Sequence, residues 1–206
     1  MARLSDLDKL NSPYGPQYKL LFAASDAHQL IETKRHVMTG VIEDIKRLSL
    51  SDGANLAQVL SRQLSKVNIH ISTAAMSTPS YTVRTDTNGQ KTVEATLVFD
   101  CDMDVFNTRP ETGPSRLVAR WYKEYPTGVK VILTEIVDGK TIKTPDDAQT
   151  RIKCDIAEIE SILAKLSAEV EPWNSSLEAH LQHAIDSNRA TRRIDQEDQE
   201  RLNRNV

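Results

Sequence analysis

The sequence is poor in cysteine and glycine, and these shortages exclude several kinds of site. Only two cysteines, Cys101 and Cys154, occur in 206 residues. They lie far apart, so we expect reduced thiols rather than a disulfide framework. The seven glycines stand singly at turn-like positions, which disfavours a glycine-rich phosphate loop. A Gly-x-Ser-x-Gly motif is also missing, so a serine hydrolase of that type is unsupported.

Long apolar runs and a strong excess of charge are missing as well. No segment approaches the length of a membrane-spanning helix, and the N-terminal residues lack the apolar core of a signal peptide. We therefore expect a cytoplasmic protein without a membrane partner. The formal net charge is only −3, which argues against a dedicated nucleic-acid surface.

The most regular pattern in the chain lies between Thr92 and Phe106. Every odd position is apolar, and the even positions are mostly polar. Such a period of two predicts one long strand with a buried odd-numbered face and a solvated even-numbered face. The odd-numbered residues are Val93, Ala95, Leu97, Phe99, Cys101, Met103 and Val105.

A hairpin is predicted to lead into this strand from a shorter one at 80–85. A two-residue loop would place Val83 opposite Glu94, which would bury a charge or expose a valine. A three-residue loop, Thr87–Gly89, instead pairs Val83 with Val93 and puts glycine at the left-handed position that such a loop needs. We therefore predict the three-residue loop.

The remaining segments complete the predicted architecture. Helical spacing indicates an N-terminal pair of helices, from Ser25 to about Leu50 and, after a connection at Ser51–Gly53, to about Ser65. Small residues at 72–79 predict a loop. Further strands are predicted at Val67–Ile71, Arg116–Tyr125, Val129–Val137 and Lys140–Lys143.

The last third of the chain is predicted to be helical. One helix begins after Thr144 and ends at Pro172, and a second begins near Asn174 or Ser175. The predicted fold is therefore α+β, with an N-terminal helical pair, an antiparallel β-meander of five to six strands and two long C-terminal helices that help to cover the sheet. We expect residues 1–170 to form the α+β domain and residues 171–206 a helical arm.

The first of these C-terminal helices carries apolar residues at alternating spacings of four and three. This heptad pattern is typical of a helix that packs lengthwise against another element. One interpretation is self-association through this seam and the start of the arm; the other is that the seam covers the sheet within one chain. The predicted interaction residues are Ile152, Ile156, Ile159, Leu163, Leu166, Trp173, Leu177 and Leu181.

Three aspartates, Asp100, Asp102 and Asp104, alternate along the long predicted strand. Their carboxylates would share one face at about 7 Å spacing. One hypothesis is a metal-dependent nucleotidyl or phosphoryl transferase, in which Mg²⁺ binds an Asp-x-Asp pair. The upstream Gly-Ser turn of polymerase-β-type enzymes is missing, and Glu135 would have to supply the third acid.

The alternative for these aspartates is an exposed acidic stripe that pairs with Arg116 and Arg120 on the next strand. On that interpretation neither a metal nor another cofactor is expected. A third hypothesis is a nucleic-acid patch formed by Arg109, Arg116 and Arg120, whose affinity would fall steeply with salt.

Two short blocks carry a resemblance to a known class of proteins. They are Val105–Pro110, after the long strand, and Val170–Leu177, which leads to Ala184, Ile185 and Arg189. With the order of elements, they resemble the N-terminal module of multidomain bacterial proteins with a restriction-endonuclease-like or Toll/interleukin-receptor effector, which are suspected of phage defence. Those proteins run on through a leucine-rich linker, whereas this chain stops at Val206, so we expect a stand-alone relative or one domain of something longer.

The resemblance supplies no catalytic residues. It implies a non-catalytic module that senses, scaffolds or self-associates, with a protein or a second copy as its partner. The enzyme hypothesis built on Asp100, Asp102 and Asp104 is the alternative.

Overall fold

A computed structural model describes residues 18–48, 56–113, 115–124 and 128–204. In these ranges the helices are α1 (Ala27–Arg47), α2 (Leu56–Val67) and α3 (Pro145–Arg204), and Met103–Asn107 forms a 3-10 helix. The strands are β1 (Lys19–Leu20), β2 (Ser25–Asp26), β3 (Ile71–Ala75), β4 (Ser80–Thr85), β5 (Lys91–Cys101), β6 (Thr108–Arg109), β7 (Val118–Lys123) and β8 (Val129–Val137). The predicted α+β class is confirmed. None of the described helices combines the length and apolarity that crossing a membrane requires.

The chain divides into two compact units. The first comprises Met1–Leu30 and His70–Glu169, and the second comprises Ile31–Ile69 and Val170–Val206. The second unit also takes in the N-terminal helical segments, because residues of α1, α2 and the last part of α3 share one apolar cluster.

The sheet of the first unit is built around β5. The strand order is β1-β7-β8-β5-β3, and β4 also pairs with β5. All of these pairings are antiparallel. The predicted meander is wrong in two respects, because β8 lies between β5 and β7 and because β3 pairs with β5 instead of with β4. β8 has apolar residues on both faces, which suits an interior position between two neighbours.

The predicted hairpin between β4 and β5 is confirmed. Val83 lies opposite Val93, and the last strand pair before the loop is Thr85 with Lys91. Gly89 adopts a φ of 80°, the left-handed conformation that glycine reaches without strain. The Asp86 carboxylate accepts hydrogen bonds from two backbone N–H groups of the turn at 2.8 Å, which stabilises this loop.

The alternating burial of β5 is confirmed as far as Cys101. The odd-numbered residues from Val93 to Cys101 are buried and the even-numbered ones are half-buried. Beyond the strand the prediction is wrong, because Met103 is 42% exposed whereas Phe106 is fully buried. The 3-10 helix changes the period from two to about three, and it directs Phe106 against Phe22 with ring centroids 5.4 Å apart.

Two other predicted strands are wrong. Val67 ends α2 instead of starting a strand, and the strand β3 falls largely in the segment predicted as loop. At Lys140–Lys143, the Asp138 carboxylate accepts hydrogen bonds from the N–H groups of Lys140, Thr141 and Ile142. A local side-chain acceptor of this kind competes with a strand ladder for the same donors. These bonds also hold the pKa of Asp138 below its ordinary value. The predicted connection at Ser51–Gly53 lies outside the described residues.

The C-terminal helices are one helix, α3, so the predicted break at Pro172 and the cap at Asn174 or Ser175 are wrong. Proline inside a helix removes one backbone hydrogen bond and costs about 3 kcal/mol. Leu166 and Val170 before the proline, and Leu177 and Leu181 after it, are all buried. Burial of such side chains contributes about 1.5–3 kcal/mol each, which outweighs the cost at Pro172.

Two polar side chains of α3 hold the end of α2 in the second unit. Asn174 accepts a hydrogen bond from the Ile69 N–H at 3.0 Å and donates one to the Ile69 carbonyl at 2.9 Å. The neighbouring Trp173 Nε1 donates to the Val67 carbonyl at 3.2 Å. The block that carried the resemblance therefore has a structural role, because it provides partners for the backbone groups at the exit of α2.

We predict that Asn174→Ala lowers the free energy of unfolding by about 1–3 kcal/mol, because the buried backbone of Ile69 loses both partners. Asn174→Asp keeps the acceptor but loses the donor, and we expect a loss at least as large. Urea unfolding followed by circular dichroism measures both. Ser175→Ala is the matched control, since its hydroxyl bonds only Glu171 at the surface. Equal stabilities of Asn174→Ala and Ser175→Ala would contradict this role.

Candidate functional site

The three aspartates of the acidic stripe do not share one strand face. Asp100 lies in β5, but the strand ends at Cys101. Asp102 precedes the 3-10 helix, and Asp104 lies in its first turn. The predicted stripe on a single strand is therefore wrong, because the turn after β5 rotates the second and third carboxylates away from the period of two.

The first two aspartates contact His70, which stands just before β3. The Asp100 Oδ2 atom lies 3.0 Å from His70 Nε2. The Asp102 backbone N–H donates to the His70 carbonyl at 2.9 Å, and the Asp102 carboxylate accepts weakly from the His70 N–H at 3.4 Å. These contacts tie the start of β3 to the end of β5. The predicted pairing of the stripe with Arg116 and Arg120 is wrong, since His70 takes that place.

Glu135 cannot serve as the third acid of an Asp100 site. It lies opposite Val93 in the ladder between β5 and β8, and residues directly opposite share a face of the sheet. Glu135 thus lies on the buried odd-numbered face, whereas Asp100 lies on the other. Within the described ranges, no three His, Cys, Asp or Glu side chains come together as a metal-binding group.

The buried side of the sheet holds Glu135 and a second acid, Asp155, which the sequence patterns did not single out. Glu135 of β8 is 2% exposed and Asp155 of α3 is 8% exposed. Burial, followed by the negative charge of Glu135, raises the pKa of Asp155 to about 6. Spacing offered one signal, because Asp155 stands three residues after Ile152 and so shares the apolar face of its helix.

The three arginines of the predicted basic patch have different surroundings. Arg120 donates to Glu94 at 2.6 Å and lies over the ring of Tyr18 at 4.8 Å. Arg109 lies in β6, within 4.0 Å of Asp26, and Arg116 is exposed in the segment before β7. Two of the three charges are thus opposed by a carboxylate.

The predicted interaction seam is buried in the chain itself. Ile152, Ile156, Ile159, Leu163 and Leu166 are at most 9% exposed, and polar contacts hold this part of α3 on the sheet. The Ala75 N–H donates to Glu160 at 3.5 Å, and Ser115 donates to Glu158 at 3.4 Å. The seam therefore covers the sheet within one chain. Leu177 and Leu181, with Trp173 at the margin, pack in the cluster of the second unit.

The outer edge of β4 is the most accessible regular backbone of the sheet. All six residues of β4 pair with β5 without a register shift, and no other described strand pairs with β4. Val83 is 49% exposed, and Thr82, Arg84 and Thr85 are exposed as well. An edge of this kind presents unpaired N–H and C=O groups to any extended segment that can approach.

The hairpin geometry shows which groups these are. The Asp86 N–H donates to the Gln90 carbonyl at 3.0 Å, so hydrogen-bonded pairs with β5 recur at every second residue before it. Thr82 and Arg84 therefore bond β5, and the backbone groups of Tyr81, Val83 and Thr85 point outward.

The other sheet edges carry features that hinder strand addition. β1 has only two residues. β3 shows a register shift in its pairing with β5, and Glu160 of α3 accepts from its Ala75 N–H. Short strands, bulges and covering helices are the usual means of blocking an edge. The one charge of β4, Arg84, is opposed by Glu94 at 3.3 Å, so its repulsive effect is reduced.

Sequence reasoning predicted the register of β4 but not its accessibility, because exposure of an edge depends on what the rest of the chain leaves uncovered. Comparison with known proteins found no matching family model, curated protein or solved structure.

We predict that Asp155→Asn stabilises the first unit at pH 8. The folded chain holds the Asp155 proton with a pKa of about 6, against about 3.9 for an unfolded aspartate. The contribution of protonated Asp155 to the free energy of unfolding is therefore fully present below about pH 4, and it is lost as the pH rises through about 6. Asparagine stays neutral, so we expect a gain of about 1–2 kcal/mol at pH 8, allowing for solvent screening, and little change at pH 4.

Urea unfolding at pH 4, 6 and 8 tests this prediction. The matched control is Glu178→Gln, an exposed carboxylate on the same helix, for which we expect a change within about 0.5 kcal/mol. An Asp155→Asn protein that loses stability equally at every pH contradicts the assignment.

Proposed function

We propose that this chain is a non-catalytic protein-association module that binds an extended segment of a protein chain along the outer edge of β4. The observation that carries the proposal is that β4 pairs regularly with β5 and is largely exposed, while no other strand among the described residues pairs with its outer edge. Main-chain hydrogen bonds supply the affinity in such strand addition, and alternate side chains supply specificity.

The side chains of β4 suit this role. Along β4, side chains on the buried side of the sheet alternate with side chains on the solvent-exposed side. Val83 belongs to the buried side but remains half-exposed. An incoming strand would place an apolar side chain beside Val83 and polar ones beside Thr82 and Arg84. Cross-strand pairs of this kind contribute about 0.2–1 kcal/mol each.

The geometry gives less support to the transferase alternative. Asp100 is engaged by His70 at 3.0 Å, Asp104 lies in a different element, and Glu135 belongs to the opposite face. The carboxylates needed for two Mg²⁺ ions would therefore have to rearrange before they could share an ion.

Sensing or scaffolding in bacterial antiviral defence is the cellular setting that the resemblance suggests, and we keep it as part of the proposal. Strand addition is compatible with it, since a module that recruits a protein needs a binding edge and no chemistry.

We predict that peptides selected from a displayed library of random segments of about ten residues bind this chain through β4. Val83→Pro should weaken that binding about tenfold or more, because it removes an outward N–H that β5 does not use. Proline is tolerated at such edge positions, so the fold should survive. Val83→Thr is the matched control, since it keeps the N–H and should bind within about threefold of the unchanged chain.

Titration calorimetry measures the affinities, and hydrogen exchange locates the site. A bound peptide should slow exchange at the amides of Tyr81, Val83 and Thr85, while Thr82 and Arg84 are already protected by β5. Peptides that bind Val83→Pro as tightly as the unchanged chain, or that leave these three amides unprotected, contradict strand addition at β4.

A further inference from the structure

We infer that the segment that adds to β4 is β4 of a second copy of this chain, in antiparallel orientation, with Val83 opposite Val83 of the second copy. This inference rests on the proposed function and names its partner. The two sheets would become continuous across a two-fold axis at Val83, the symmetry of an isologous dimer.

The outward backbone groups fit this pairing. With Val83 on the axis, Tyr81 lies opposite Thr85 of the second copy, and Thr85 lies opposite Tyr81. Every outward N–H and C=O of β4 then meets an outward group of the other copy, because these are the three residues whose backbone groups do not bond β5. The result is three consecutive hydrogen-bonded pairs.

Neighbouring registers make fewer bonds or place like charges together. A shift that puts Thr82 on the axis leaves Thr85 opposite Pro79, which has no N–H to donate. A shift in the other direction puts Arg84 directly opposite Arg84 of the second copy, and like charges in that position are destabilising. A parallel, in-register arrangement would also place Arg84 beside Arg84 of the second copy.

Charge also favours the register centred on Val83. Arg84 then faces Thr82 of the second copy, a neutral partner that can accept a hydrogen bond through its hydroxyl. Each Arg84 keeps the contact with its own Glu94 at 3.3 Å, and because that carboxylate also binds Arg120 at 2.6 Å, the charge of Arg84 is only partly compensated. This register therefore places no like charges directly opposite each other.

The expected dimer is weak. Pairing of one six-residue strand makes an interface below the usual size of stable complexes. We therefore expect association over protein concentrations between about 10 µM and 1 mM, with fast exchange between monomer and dimer. Disulfide cross-linking of the dimer is consequently a more sensitive test than a measurement of its molecular mass alone.

The experiment uses single cysteines in a Cys154→Ser background, since Cys154 is exposed and Cys101 is buried. Val83→Cys should form a disulfide-linked dimer under mild oxidation, because directly opposed residues in a hydrogen-bonded pair have Cα atoms about 5.5 Å apart, within disulfide range. Ser80→Cys is the matched control: its two copies would lie about 20 Å apart in this register, and we expect no cross-link. Cys154→Ser alone should stay monomeric on a non-reducing gel.

Light scattering on the unoxidised proteins provides a second measurement. The mass should rise with concentration for the unchanged chain and for Val83→Thr, and stay that of a monomer for Val83→Pro. Three results would each overturn the inference. The first is that Ser80→Cys cross-links as readily as Val83→Cys, and the second is that Thr82→Cys cross-links whereas Val83→Cys does not. The third is a mass that stays that of a monomer at every concentration of the unchanged chain. If selected peptides still protect the amides of β4 while no self-association occurs, the proposed function stands and only the second copy as partner fails.

Discussion

Burial of one face of β5 is the constraint on which the first unit depends. Five alternate residues from Val93 to Cys101 are removed from water, and every neighbouring strand must match that alternation or expose its own apolar residues. The long strand therefore fixes the register of β8 on one side and of β4 and β3 on the other. It also decides that α3 must lie over this face, because the heptad residues of the helix need an apolar surface to cover.

The same constraint sorts the acidic side chains. A carboxylate on the even-numbered face remains partly in water and can pair with a surface histidine or arginine, as Asp100 and Glu94 do. On the buried side, burial and the negative charge of Glu135 raise the pKa of Asp155, so Asp155 holds its proton more firmly than an exposed acid would. The face of the sheet on which an acidic side chain lies thus decides its surroundings. Asp100, Asp102 and Asp104 are close in sequence, but their carboxylates do not form one cluster in the structure.

Whether a sheet edge is accessible depends on whether a helix covers it or bonds to it. The β3 edge is disturbed by a register shift and bonded by Glu160 of α3, whereas β4 continues the same side of β5 with regular pairing. A regular edge strand with exposed β-branched residues is usually protected in monomeric proteins. The absence of such protection among the described residues is why β4 is the centre of the functional proposals.

The sequence by itself determined the elements whose signal is local: the α+β class, the period of two in β5, the three-residue hairpin loop and the helical spacing of α1 and α3. These follow from side-chain periodicity and from the φ that Gly89 supplies. Only the tertiary structure decided that α3 runs through Pro172, that the strand after β7 lies beside β5, and that the acids divide between two faces. Each of these depends on burial and hydrogen bonds between residues distant in sequence, which offset or override local preferences.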